Sequence, residues 1–242
     1  MIIMNYKVFI DDLETIDLET KKIINTINPH SYITAKSDMK FKKALQSSDL
    51  LIPDGSGIVL AAKQINKKSI KKIAGADLHK FLLSKMNEQS GKVFYMGASQ
   101  NTLDKIEERI KKEYSNIQVQ SYSPPFKFQF SQEDNDIIVS EINKFQPDVL
   151  FIGMTAPKQE KWLYEHKEKL RFKVASSIGA VFDFYARTVE RPSQFWIDMH
   201  LEWLPRLLKE PKRLWKRNFV SAPLFLWDIL LYKLNLKQGK IK

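Results

Sequence analysis

The sequence predicts an α/β fold: a mostly parallel, Rossmann-like sheet with helices on both faces and a helical C-terminal appendage. Three observations predict it. Short apolar runs recur along the chain, each followed by a glycine or polar turn. Stretches with helical spacing of apolar residues separate most of these runs. Past about residue 194 the runs stop, and a long basic, aromatic, helical stretch begins.

Taken in order, strands are expected at Lys7–Ile10, Ser31–Ala35, Leu50–Pro53, Val93–Met96, Ile117–Ser121, Val149–Gly153 and Val174–Ile178. Helices are expected at Asp38–Gln46, Ile58–Ile65, Asp77–Met86, Asn101–Tyr114, Gln132–Phe145 and Gln159–Leu170. Tyr122–Gln132, with Pro124, Pro125 and three phenylalanines, is expected to be a loop that packs on something. Ser131 and Asp134 have the spacing of a capping box at the start of the helix that follows. The expected organisation is a catalytic α/β domain over residues 1–194 and an appendage over 195–242.

Composition narrows the class of protein. The 242 residues are 43% hydrophobic, enough for a sizeable core, and contain no cysteine, which excludes disulfides and thiolate metal sites. The N-terminal residues lack the basic segment and small-residue cleavage site of a signal peptide. The longest apolar candidate, Phe219–Leu234, is interrupted by Pro223, Asp228 and Lys233 and falls short of a membrane span. The expectation is a cytoplasmic chain, peripheral on the inner face of the cell membrane. Net charge is +11, and from Pro205 onward ten Lys or Arg face only two acids, Glu210 and Asp228. A basic stretch also rich in Trp, Phe and Leu suits an anionic membrane surface or a solvated helix end.

Open parallel sheets bind ligands beyond the carboxyl ends of their strands, so chemistry is sought there. Pro53-Asp54-Gly55-Ser56-Gly57 follows a strand and leaves Asp54 where a carboxylate could take a proton from a sugar hydroxyl; the same sequence also makes ordinary turns. Gly97-Ala98-Ser99 stands at a strand–helix junction that could receive phosphate. In Gly153–Trp162, Lys158 suits a diphosphate and Gln159 a sugar or base, or both belong to a polar first helical turn. Asp183, between two phenylalanines, could orient a loop or touch a ligand. Arg206, Arg213 and Arg217 recur near helical spacing, although Pro211 breaks the stretch. Asp134-Asn135-Asp136 resembles a metal-holding sugar-transferase motif, but its place in a first helical turn favours capping. The four histidines show no ligand spacing, so no protein-held metal and no cofactor are expected.

Together these motifs resemble the WecG/TagA/CpsF glycosyltransferase family from about residue 28 to about 220. The resemblance is carried by Pro53–Gly57, Gly75-Ala76-Asp77-Leu78, Pro157–Glu160, Gly179–Asp183 and Leu201–Arg217. It implies an inverting, metal-independent transfer of a sugar of the N-acetylmannosamine type from a UDP-sugar donor. The implied acceptor is N-acetylglucosamine on a polyprenyl diphosphate, in cell-surface polysaccharide assembly. By position, Asp54 matches the catalytic base, Thr34 a residue near the sugar, and Gln159 the glutamine of the proline–lysine–glutamine–glutamate motif. Arg206 and Arg213, with Lys216 or Arg217, match residues that close over the diphosphate. Gly55, Asp77, Gly97, Lys158 and Asp183 join them as substrate-binding candidates, as does Lys72, which stands where others carry arginine. Lys36 replaces an asparagine of the family, and Arg187 stands where glycine is common.

The expected partners are therefore the donor, the lipid-linked acceptor and an anionic membrane surface, not nucleic acid, with room for a homo-oligomer. The rival reading is a non-enzymatic nucleotide- or nucleic-acid-binding protein with a basic C-terminal arm. A Rossmann oxidoreductase would need a glycine fingerprint that the chain lacks.

Overall fold

The computed structural model describes residues 1–188 and 214–237, with 196, 199 and 207 as isolated positions. The expected boundary between residues 194 and 195 lies outside the described residues, as do Arg206 and Arg213. Its centre is a six-stranded, wholly parallel sheet: β3 (Lys22–Ile27), β4 (Leu50–Pro53), β5 (Lys92–Gly97), β6 (Gln118–Tyr122), β7 (Val149–Gly153) and β8 (Val174–Ser177), in the order β4-β3-β8-β7-β5-β6. An antiparallel pair, β1 (Ile2–Ile3) and β2 (Tyr6–Lys7), precedes it.

Alternation along the strands divides the core. On β5 and β7, Val93, Tyr95, Val149 and Phe151 face α4 (Gly75–Gln89), α5 (Gln100–Glu113) and α8 (Gly179–Tyr185). Phe94, Met96, Leu150 and Ile152 face α6 (Gln132–Phe145) and α7 (Lys158–His166) on the other side. A third cluster, around β3 and β4, gathers α1 (Pro29–Ser37), α2 (Met39–Gln46), α3 (Ser56–Ala61) and α9 (Ala222–Lys237). Such runs, buried on both faces, are what a parallel sheet demands.

Two strand expectations are corrected. Ser31–Ala35 lies in α1, not in a strand. Its β-branched residues were outweighed by a start signal just upstream: the Asn28 side chain accepts from the Ser31 N–H (3.0 Å), Ser31 Oγ accepts from the Asn28 N–H (2.8 Å), and Pro29 occupies the first turn. The strand that precedes it, β3, escaped notice because Asn25 and Thr26 interrupt its apolar run. Asn25 is nevertheless buried, its amide donating to Ser48 Oγ (3.0 Å) and its carbonyl accepting from the Ser177 N–H (3.3 Å). Of Lys7–Ile10, only Lys7 is in a strand. The capping box of Ser131 and Asp134 is present as expected.

The C-terminal part folds back on the α1 edge. A π-helical turn, Lys216–Ser221, leads into α9, and Ser221 Oγ lies 2.8 Å from His30 Nδ1. Phe225, 1% exposed, meets the Tyr32 ring edge-on at 5.2 Å. Lower down, Lys36 pairs with Asp228 (2.6 Å) and Lys233 donates to Gln64 (3.0 Å). Among the described residues no helix is long and apolar enough to cross a membrane.

Phe225 is the apolar anchor of this docking. Phe225→Ala should weaken it by about 3–5 kcal/mol. Amide exchange should then rise throughout 222–237 while β5 and β7 keep their protection; equal loss in both regions would mean that α9 and the sheet unfold as one unit.

Candidate active site

The order of the sheet creates a crevice. From β5 the chain leaves through α5 to β6; from the adjacent β7 it leaves the opposite way, through α7 to β8. Ligands bind at such a switch point in open parallel sheets. Here the two strands end side by side on paired glycines, Gly97 and Gly153, and the Ala98 N–H donates to the Gly153 carbonyl at 2.9 Å. Gly97 has φ +111°, and a Cβ at this position would run into the Gly153 carbonyl. Only glycine accepts both conditions.

Beside it, the turn after β7 is braced from within. Gln159 is buried; its Oε1 accepts from the N–H groups of Met154 (3.2 Å) and Gly179 (3.1 Å). The end of β7 is thereby tied to the start of α8. The Gln159 amide nitrogen donates to Glu160 Oε1 at 2.8 Å. The candidate glutamine therefore shapes the rim, and its carbonyl is engaged by the backbone. Lys158 turns toward the β6–α6 loop, donating to the Lys127 carbonyl (2.5 Å) with its ammonium 3.6 Å from the Phe130 ring centre. Partial burial lowers its pKa, against the opposing pull of Asp134.

A second group assembles at the ends of β3 and β4. The Asp54 N–H donates to the Ile27 carbonyl (2.9 Å), and the Ile73 N–H donates to the Pro53 carbonyl (3.0 Å), so Lys72 stands next to the Asp54 loop. Asp54 and Lys72 are both half-buried. Gly55 has φ +94° and passes close to Asn28, while Gly57 packs against Pro29 and Phe225. The α1 start, the Asp54 loop and the docked C-terminal segment thus meet. His30 senses the segment's charge: burial lowers its pKa first, and Arg217 and then Lys216 lower it further. Thr34 lies one turn further along α1, half-buried.

The remaining candidates sit elsewhere on the rim. Asp77 is exposed and accepts from the Ala74 N–H (2.9 Å), capping α4. Gly75, where α4 starts, packs on Ile178 and Val181 at the start of α8. Asp183, half-buried on α8, lies near the Thr188 hydroxyl (3.4 Å). Asp134 is held by Lys127 (2.8 Å) and its own helix start, which keep its pKa down at about 2. Among the described residues no group of three or more His, Asp or Glu could hold a metal ion.

Sequence reasoning passed over His30 and Glu160. The signal for His30 was the Asn28-Pro29 helix start, which places it in the first turn facing the rim. Glu160 is 5% exposed, with one oxygen unpartnered and its pKa pushed up to about 7 by burial, against the pull of the Gln159 hydrogen bond. The folded state thus holds a proton that the unfolded chain releases near its ordinary pKa of 4.5. The corresponding stability is full below that value and is lost as pH rises toward about 7. Glu160→Gln keeps an acceptor for Gln159 without the charge. Relative to the parent it should gain stability between pH 5 and 8, on the order of 2–3 kcal/mol, in paired denaturant titrations; a constant difference would mean that Glu160 is ionised throughout.

Comparison with known proteins places this geometry. The family model described as Glycosyl transferase WecG/TagA/CpsF family matches residues 3–239. The chain is 31% identical over 227 residues to an N-acetylglucosaminyldiphosphoundecaprenol N-acetyl-beta-D-mannosaminyltransferase of Bacillus spizizenii, covering 93% of this chain and 86% of the relative. To the protein of the same name from Bacillus subtilis it is 31% identical over 235 residues, 96% and 89% of the two chains. A Staphylococcus aureus counterpart is 25% identical over 236 residues, 98% and 89%. With nearly its whole length matched, the chain belongs to the WecG/TagA/CpsF family of glycosyl transferases.

Proposed function

We propose that this glycosyltransferase moves an N-acetylmannosamine-type sugar from a UDP-sugar to N-acetylglucosamine carried on a polyprenyl diphosphate, with inversion, at the inner face of the cell membrane. The observation that carries the reading is the meeting of the Asp54 loop, the start of α1 and the docked segment bearing Lys216 and Arg217. One carboxylate and several cations then converge on one rim. The names of the relatives support the acceptor and the transferred sugar.

Inversion takes a single displacement. The acceptor hydroxyl oxygen forms a bond to the anomeric carbon as the bond to the diphosphate oxygen breaks. Asp54 accepts the hydroxyl proton, and UDP leaves with the electron pair. Negative charge grows on the departing diphosphate, and Lys72 and Arg217, with Arg206 and Arg213 outside the described residues, would offset it. The glycine turn at Gly55 leaves room for backbone N–H groups near the phosphates, while Gly97, at the switch point further along the rim, keeps the crevice open for another part of the donor. Gln159 serves by holding the β7 turn against α8, so its contribution to sugar binding is positional.

The outer face of the C-terminal part supports membrane contact. Trp215, Phe219, Leu224, Trp227, Leu231 and Leu234 are all exposed, recurring at helical intervals on the side away from Phe225 and Ile229. An interfacial helix presents apolar residues in this way, with basic residues adding attraction to anionic lipid.

Asp54→Asn should cut turnover by about 100- to 10,000-fold with little change in melting temperature. The assay is release of UDP with a synthetic prenyl-diphosphate-linked N-acetylglucosamine, and near-normal turnover would remove the base assignment. Trp227→Ser with Leu231→Ser should lower binding to anionic vesicles by about tenfold, read by flotation; unchanged flotation would remove the lipid role of α9.

A further inference from the structure

The loop between β6 and α6 holds the most exposed aromatic side chains described. Phe126 is 110% and Phe128 99% exposed. Such exposure usually accompanies a slack loop, yet this one is fastened at its base. Ser123 Oγ donates to the Ala98 carbonyl (2.8 Å), tying the loop to the turn after β5. Lys127 reaches both oxygens of Asp134 (3.0 and 2.8 Å). Lys158 donates to the Lys127 carbonyl, and Phe130 is buried beneath it. Pro124 and Pro125 stiffen the approach. Lys127 is engaged by Asp134 and Phe130 is buried, while Phe126 and Phe128 are held out into water.

The position of the loop identifies its occupant. It extends the carboxyl end of β6, an edge strand, on the same rim as Gly97 and Gly153. At the opposite edge of that rim, Trp215 and Phe219 stand exposed beside the Ser221–His30 contact. Five strand spacings separate β4 from β6, roughly 24 Å at the usual interval, and the candidate active site lies between. A small ligand cannot touch both ends. A flat apolar surface can, and paired aromatics beside lysine suit the water–lipid boundary.

We propose that the β6–α6 loop is a second lipid-contacting element: Phe126 and Phe128 enter a phospholipid bilayer while the C-terminal segment holds the other edge, so that the carboxyl rim faces the membrane. The inference rests on the proposed reading that the acceptor is lipid-linked. It adds an orientation, because two separated contacts fix how the rim meets the surface and one contact does not.

The absence of cysteine allows a direct test. Full-length Phe128→Cys, labelled with an environment-sensitive fluorophore, is mixed with vesicles of phosphatidylglycerol and phosphatidylcholine. The emission should shift to the blue and be quenched by lipids carrying nitroxide on the upper acyl chain. Phe126→Ser with Phe128→Ser should lower vesicle partitioning by roughly tenfold, with unchanged melting and unchanged turnover on a water-soluble short-prenyl acceptor. A label that stays in water on vesicle-bound protein would overturn the proposal, as would parental partitioning of the double variant. Loss of turnover on the soluble acceptor would show that the loop covers substrate instead, and a concentration-dependent shift without vesicles would show a second copy of the chain. If the parent transfers no sugar at all, the proposed function fails, while the label still reports whether the loop meets lipid.

Discussion

The parallel pairing of β5 with β7 is the constraint on which the rest of this molecule depends. These two strands are buried on both faces, and their connections leave in opposite directions. The glycine contact at their ends keeps the two turns within one hydrogen bond of each other. From there, Gln159 passes the placement on to α8, and α8 receives α4 through Gly75. The rim is thus built outward by short-range contacts from one central pair, and a shift in that pair would displace the turns after β5, β7 and β8 together.

The α/β class, five of the six core strands and the α4–α7 patterns were legible in the sequence, because continuous apolar runs and amphipathic spacing are local signals. Two of the misjudged stretches are informative. Lys22–Ile27 hid its nature because a buried Asn25 resembles a loop residue until its partners Ser48 and Ser177 arrive from distant segments. Ser31–Ala35 looked extended because β-branched residues weigh toward strands, yet an asparagine–proline start upstream decided the matter. In both cases a specific hydrogen bond outweighed the pattern.

The candidate site was legible as a set of motifs and not as a division of labour. Asp54 and Lys72 are brought to one loop system by two backbone hydrogen bonds that no local pattern reveals. Asp77 caps its own helix, Gln159 braces a turn and Lys158 leans on Phe130. Motif residues of a rim can therefore serve by holding its shape. The described part of the basic arm is docked on α1, with apolar residues outward.

The docking of α9 has a consequence for how the protein is made. Phe225 and Ile229 complete the cluster formed by Phe41, Leu45, Ile58 and Ala61, yet they are made after every strand of the sheet. Until then, the α1–α3 surface is an open apolar patch on a nascent chain whose sheet is otherwise ready to fold. Lys216 and Arg217 also arrive late. A chain made only as far as the sheet therefore carries the Asp54 rim with Lys72 but without Lys216 and Arg217, and the later segment both seals the core and adds its charge.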